Sequence, residues 1–165
     1  MSNSNSTIAL YAGTFDGVTL GHLDIIRRGA EIFKKLIVGV ARNVDKDTLF
    51  SNTERVEMIR QEAKGMPNVS VTDYDGLTMD FAEKCGAGII LRGIRVISDF
   101  EYELQMALMN REINPRIETI FMFPAAEHLY VSSSLIREVL LLGGDISKFV
   151  PPSTHRMMSK RFLKG

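Results

Sequence analysis

A chain of 165 residues, 45% apolar and 24% charged, has enough material for one continuous hydrophobic core and lacks the polarity of a disordered chain. Twenty basic and twenty acidic side chains cancel, which excludes a global field drawing the protein onto nucleic acid or an anionic membrane, so neither is expected as a partner. Cys85 has no internal disulfide partner, no apolar run nears the roughly 18 residues of a membrane span, and the polar start MSNSNST lacks both parts of a secretory signal. The expectation is a single cytoplasmic domain over 1–165, with residues 1–6 as an unordered tail.

Apolar, β-rich runs alternate with helical patterns along the chain. The first run, TIALYAG (7–13), precedes a helix predicted over about 21–34, in which Ile25, Ile26, Gly29 and Phe33 share a face. LIVGVA (36–41) reads as a second strand. The polar stretch RNVDKDTLF then ends at a helix start where Ser51 and Glu54 have capping-box spacing, and Val56, Ile59 and Ala63 follow at helical intervals. NVSVTDY (68–74) alternates as a half-buried strand does. A short helix over about 78–84 leads to AGIILRG (87–93), whose continuous apolarity marks a central strand. The next helix, predicted over about 98–110, is expected to turn Phe100, Leu104, Ala107 and Leu108 inward. IETIFMF (117–123) is the fifth strand, SSSLIREVLLLGG a helix ended by glycines, and Pro151 and Pro152 precede a last helix over about 153–163.

This alternation predicts an α/β fold, a Rossmann-like doubly wound sheet of five parallel strands with flanking helices. Ligands of such sheets bind beyond the carboxyl ends of the strands, where the strand order reverses. Functional polar residues should therefore follow Tyr11, Ala41, Leu91 and Phe123.

Unusual residues do stand at those points. After the first strand come Gly13, Thr14, Phe15, Asp16 and Gly17, then Thr19, Leu20, Gly21 and His22 at a helix start, whose unpaired amides suit a phosphate. The spacing matches neither G-x-G-x-x-G nor a Walker-type P-loop. His22 fits a capping or packing role as well as a phosphate contact, and Asp16 fits a turn or cap. Lys46 follows the second strand in a polar loop, as an ordinary solvated lysine also would. Arg92 and Arg95 flank Gly93 and Ile94 directly beyond the buried fourth strand, where bidentate phosphate binding is the stronger reading. Ser132, Ser133 and Ser134 open another helix, as an N-cap or a second phosphate cradle. His22, His128 and His155 lack partners at zinc spacing, and no serine–histidine–aspartate order is present. Four such elements on one sheet edge point to phosphoryl or nucleotidyl transfer.

The segments YAGTFDGVTLGHLDII, LRGIRVISDFEYELQMALMNR and VSSSLIREV together closely resemble the bacterial phosphopantetheine adenylyltransferases, nucleotidyltransferases of the T/H-x-G-H signature. The resemblance runs over residues 8–162. It departs at Ala12 and Gly17, where that family usually has proline, and at His128, where a tryptophan is common. It implies transfer of the adenylyl group of ATP to 4'-phosphopantetheine, giving dephospho-coenzyme A and pyrophosphate by direct in-line displacement assisted by Mg²⁺. By the same resemblance, His22 stabilises the charge growing on the α-phosphate, while Thr14 and Lys46 contact the acceptor phosphate and Arg92 binds it. Thr78 falls among residues lining the pantetheine pocket. Phe15, Gly93, Ile94, Arg95, Glu103, His128, Leu129, Tyr130, Val131, Ser132, Ser133 and Ser134 hold ATP, together with Thr14 and His22. A homohexamer built as a trimer of dimers, and feedback by coenzyme A, are further implications. The rival readings are a nicotinate or nicotinamide mononucleotide adenylyltransferase, a cytidylyltransferase, and an ATP-binding module without catalysis.

Overall fold

The computed structural model describes residues 7–42 and 47–162. Lys46 and the tail 1–6 lie outside the described residues, so the readings made of them are not addressed by it. In chain order the elements are β1 (Ile8–Gly13), α1 (Leu20–Ile32), β2 (Lys35–Ala41), α2 (Asn52–Glu62), β3 (Val69–Tyr74) and α3 (Thr78–Lys84). There follow β4 (Ile89–Gly93), α4 (Ile97–Ile113), β5 (Glu118–Met122), a single 3₁₀ turn (Ala126–His128), α5 (Ser133–Leu141) and α6 (Pro152–Phe162).

All strand pairs are parallel and the sheet order is β3-β2-β1-β4-β5. The chain steps from β1 through β2 to β3 at one edge, then returns to lay β4 on the other side of β1. The order therefore reverses between β1 and β4. Tyr11 is level with Leu91 across that pair, so Ala12-Gly13 and Arg92-Gly93 leave the sheet as neighbours at the reversal.

Side chains of β1 alternate between the two faces, as the period of a strand requires. Ala9 and Tyr11 pack in the larger core with Leu23 and Ile26 of α1, Val56 and Ile59 of α2, Ile136 and Leu140 of α5, and Met158 of α6. Leu10 and Ala12 join Ile37, Ile90 and, from α3, Met79 and Ala82 on the other face. Each of these large side chains contributes about 1.5–3 kcal/mol by leaving water. Gly29 brings α1 close: a Cβ there would lie 3.1 Å from Leu91 and 3.2 Å from Leu36. At α2 both halves of the capping box form, with the Ser51 amide donating to Glu54 at 2.8 Å and the Glu54 amide to Ser51 Oγ at 3.3 Å. Gly143 ends α5 at a φ of 80°, which favours glycine.

Helix α4 corrects one expectation. Phe100, Leu104 and Leu108 are exposed instead of inward, Ala107 is half-buried, and Glu103 is the buried residue of this stretch. Apolar side chains stand all round this helix, at Ile97, Tyr102, Met106, Met109 and Ile113 as well, so its periodicity does not single out one face.

Candidate active site

The turn between β1 and α1 is built on a reciprocal cap. The His22 amide donates to Thr19 Oγ1 at 3.3 Å, and the Thr19 amide donates to His22 Nδ1 at 3.1 Å. A histidine thus takes the place that glutamate or glutamine usually has in such a box. Because Nδ1 accepts, the proton of the neutral ring belongs on Nε2. Burial, and secondarily the positive charge of Arg95, lower the His22 pKa to about 4. At neutral pH the ring is uncharged and keeps one N–H donor. The capping reading of His22 is the one observed, and the same residue lines the cleft.

The rest of the turn holds that ring still. The buried Phe15 sits edge-on to His22 at 5.1 Å and to Tyr11 at 5.2 Å. Its φ of 51° lies in the left-handed region, unusual for a bulky residue and tolerated where the surroundings over-determine it. Asp16 accepts from the Leu49 and Phe50 amides at 2.7 and 3.0 Å, tying this turn to the loop after β2. In place of the expected turn or cap bond, its carboxylate reaches amides 33 and 34 positions along the chain and anchors one loop to another. Below the turn lies Arg55, buried in α2, which donates to the carbonyls of Thr14, Ala41 and Phe50 at 2.6, 3.2 and 3.2 Å and to Asn52.

At the exit of β4, Arg92 donates through Nε and Nη2 to Glu103 at 2.7 and 2.5 Å and through Nη1 to the Ala12 carbonyl. Burial opposes its charge, but the pairing with Glu103 outweighs that and raises its pKa. Three of its five N–H groups are committed, which leaves two for a ligand. Arg95 forks onto Asp99 at 3.0 and 3.3 Å and donates to the Val131 carbonyl at 3.2 Å. Ser132 caps α5 by accepting from the Leu135 amide at 3.1 Å, and Ser133 Oγ donates to the Gly17 carbonyl at 2.8 Å, joining α5 to the first turn. The segment after β5 is fastened to α1 as well: Arg28 donates to the Phe123 carbonyl at 2.7 Å and Asp24 accepts from the Ala125 amide at 2.9 Å.

These elements enclose a cleft of about 650 Å³ at the reversal, which brings together Thr14, Phe15, His22, Arg92, Gly93, Arg95, Glu103 and Ser132, Ser133 and Ser134. A second cleft of about 400 Å³ shares Gly13, Thr14, Arg92 and Glu103 with it and reaches Thr78, Leu77, Met106, Met109 and Asn110. Thr78 Oγ1 and the Tyr74 hydroxyl are 2.9 Å apart there. Val131 lies with His22, Gly93 and Arg95 in a smaller side pocket. Ile94, His128, Leu129 and Tyr130 line neither large cleft; Ile94 is buried with its amide on the Met122 carbonyl, and His128 packs over Gly21. The cleft also gains Asp47, Thr48, Asp99 and Arg137, which the sequence reading gave no role. For one of these a signal existed: Arg137 is four residues beyond Ser133 on the same helix, so it shares a face with a flagged residue.

Residues 10–139 match the cytidylyltransferase-like family. The phosphopantetheine adenylyltransferase of Caldanaerobacter subterraneus subsp. tengcongensis is 47% identical over 96% of this chain and 99% of its own length. That of Clostridium botulinum is 51% identical over 87% of this chain and 91% of its own. A solved structure of Plasmodium falciparum nicotinic acid mononucleotide adenylyltransferase superposes with a TM-score of 0.70 over 94% of this chain and 96% of that one, at 16% identity, and so shares the fold. The parallel sheet reversing at β1 and β4, the histidine-capped turn and the extent of these likenesses agree, and the chain belongs to the cytidylyltransferase-like family and, within it, to the phosphopantetheine adenylyltransferases.

Proposed function

We propose that the chain transfers the adenylyl group of ATP to 4'-phosphopantetheine, releasing pyrophosphate and forming dephospho-coenzyme A. The observation that carries this reading is the meeting of two clefts at Thr14 and Arg92. One is lined by phosphate-binding groups at two helix starts, the other by Leu77, Thr78, Met106 and Met109, which suit a long, mostly apolar acceptor arm with a phosphate at its end. An acceptor laid in the second cleft puts its phosphate at the junction, facing a nucleotide in the first.

An acceptor phosphate oxygen attacks the α-phosphorus of ATP, the bond from that phosphorus to the bridging oxygen breaks, and pyrophosphate leaves with the bonding pair. Positioning and charge stabilisation are sufficient for such a displacement without a protein nucleophile. The Nε2–H of His22 donates to the α-phosphate as charge grows on it. Thr14, Lys46 and the two remaining N–H groups of Arg92 hold the acceptor phosphate. Glu103 acts on this site by orienting Arg92. Arg95, Gly93, Val131 and the serines of α5 hold the nucleotide, with Ser134 and Arg137 toward its terminal phosphates. Among the described residues no three His, Cys, Asp or Glu side chains gather as a metal-ligand set. Mg²⁺ is accordingly proposed as part of the ATP substrate, held through its phosphates, and no step is assigned to a protein-bound metal. The exposed apolar residues of α4 support a homo-oligomer, for which a hexamer is the proposal. Coenzyme A, which carries the same arm and phosphates, is proposed as a feedback ligand of the same clefts. No described helix is long and apolar enough to cross a membrane, and the cytoplasm is the proposed location.

The test is pyrophosphate release from ATP and Mg²⁺ with phosphopantetheine, beside nicotinate mononucleotide as competing acceptor. Release with phosphopantetheine alone is expected. Release with the mononucleotide alone would overturn the acceptor assignment, and silence with both would overturn adenylyl transfer.

A further inference from the structure

Arg55 stands out because nothing in the chemistry above uses it. It is 2% exposed, the largest of the fully buried side chains, and sits in the first turn of α2. Its guanidinium has four acceptors, each from a different place in the chain. Thr14 Oand Ala41 O are the carbonyls at the exits of β1 and β2, Phe50 O belongs to the end of the loop after β2, and the Asn52 side chain to the helix start. Every one is neutral. Among the described residues no carboxylate lies within ion-pair distance of it; Asp16 and Asp73 act on it only through space.

A buried cation with no direct counter-ion is an expensive way to satisfy three carbonyls, since desolvation of a charge costs far more than that of a neutral donor. The planar fork supplies what a neutral side chain could not, several N–H vectors from one rigid plane. Nη1 thus bonds both the turn bearing Thr14 and the exit of β2, while Nε bonds the end of the loop that leads into α2. The positive charge lies directly behind Thr14, under the cleft into which the anionic substrates fit.

Resting on the adenylyl-transfer reading, we propose that Arg55 is a positioning residue. It sets the spacing between the β1 turn and the exit of β2, and so holds Thr14 where the two clefts meet. It touches no substrate.

Arg55→Lys keeps the charge but cannot reach four acceptors from one point. The variant and wild type are compared for kcat, for KM of both substrates, and for the stoichiometry of ATP binding by calorimetry. A misplacement of about 1 Å costs on the order of 10²-fold in rate, so kcat should fall by about that factor with ATP binding still near one per chain. The KM for ATP should stay within about threefold. A kcat within about twofold of wild type overturns the proposal, and so does a loss of ATP stoichiometry that matches the loss of rate, because that marks unfolding alone. Should Arg55→Lys not fold, Asn52→Ala, which removes one acceptor, decides instead: about a fivefold fall in kcat at full ATP stoichiometry supports the role, and an unchanged kcat overturns it. A wild-type protein inactive with phosphopantetheine would refute the proposed function itself, a result separate from an active wild type with an unaffected Arg55→Lys.

Discussion

Helices α1 and α4 both begin where the sheet reverses, and they are finished in different ways. The start of α1 is closed by its own residues: Thr19 and His22 cap each other, and Phe15 and Tyr11 pack beside the ring. The start of α4 has Val96 at the cap position without a side-chain bond, and the next residue, Ile97, is 84% exposed. What holds α4 is a pair of ion pairs, Arg92 with Glu103 and Arg95 with Asp99, whose members also line the cleft. One helix presents a group already fixed. The other is held by groups that the proposed reaction assigns to its substrates, so on that reading ligand binding and the position of α4 are coupled.

The sharpest way to break this comparison is at the fixed end. His22→Ala should lower kcat by about 10²–10³-fold, the usual cost of one preorganised donor to a developing oxyanion, while ATP affinity changes little; unchanged turnover would refute its role. At the other helix, Arg92→Ala should weaken phosphopantetheine by about 10–100-fold, the range for hydrogen bonds to charged groups, and ATP much less. Calorimetry showing equal losses for both ligands would count against the assignment.

The titration of His22 sharpens the contrast in another way. Its folded pKa is about 4 and its unfolded value about 6.5, so between those pH values the unfolded chain binds the extra proton. This contribution to stability is complete above about pH 6.5 and is lost as pH falls toward 4, with a slope of at most about 1.4 kcal/mol per pH unit. Urea unfolding at pH 7 and pH 5 should show a larger drop in wild type than in His22→Gln. His22 should contribute no acid limb to the rate profile near pH 6.5, where the acceptor phosphate itself titrates at about pH 6; a limb there that disappears in His22→Gln would contradict a neutral ring. A smaller effect is expected of Thr19→Ala, about 1 kcal/mol for a lost N-cap, read by thermal unfolding. The equivalent change at the uncapped helix, Val96→Ala, should leave stability within about 0.5 kcal/mol.

What the sequence made legible follows from where the signal is local. Strand runs such as IILRG and the Ser51–Glu54 box announce themselves within a few residues, and the glycine stop after α5 does so too. The four strand exits were legible as a set because topology gathers them at one edge. The reciprocal form of the His22 cap was not, because a histidine at the third helical position matches no common box and its tautomer depends on a three-dimensional neighbour. The exposed side of α4 was illegible for a different reason: with apolar residues on every face, only the fold decides which one meets the sheet. Arg55 hid in a run of charged residues, NTERVEMIRQE, where an arginine reads as solvated. Its place on one helix face with Met58 and Ile59, three and four residues on, was the available hint.

The anchors beneath the cleft have one property in common. Asp16 grips the amides of Leu49 and Phe50, and Arg55 grips the carbonyls of Thr14, Ala41 and Phe50; apart from the bond to Asn52, both read main chain and ignore side chains. The loop between β2 and α2 is therefore fastened by atoms that every amino acid supplies. Asp47 and Thr48, the residues of this loop that line the cleft, take no part in those bonds, so substitutions of their side chains leave both anchors in place.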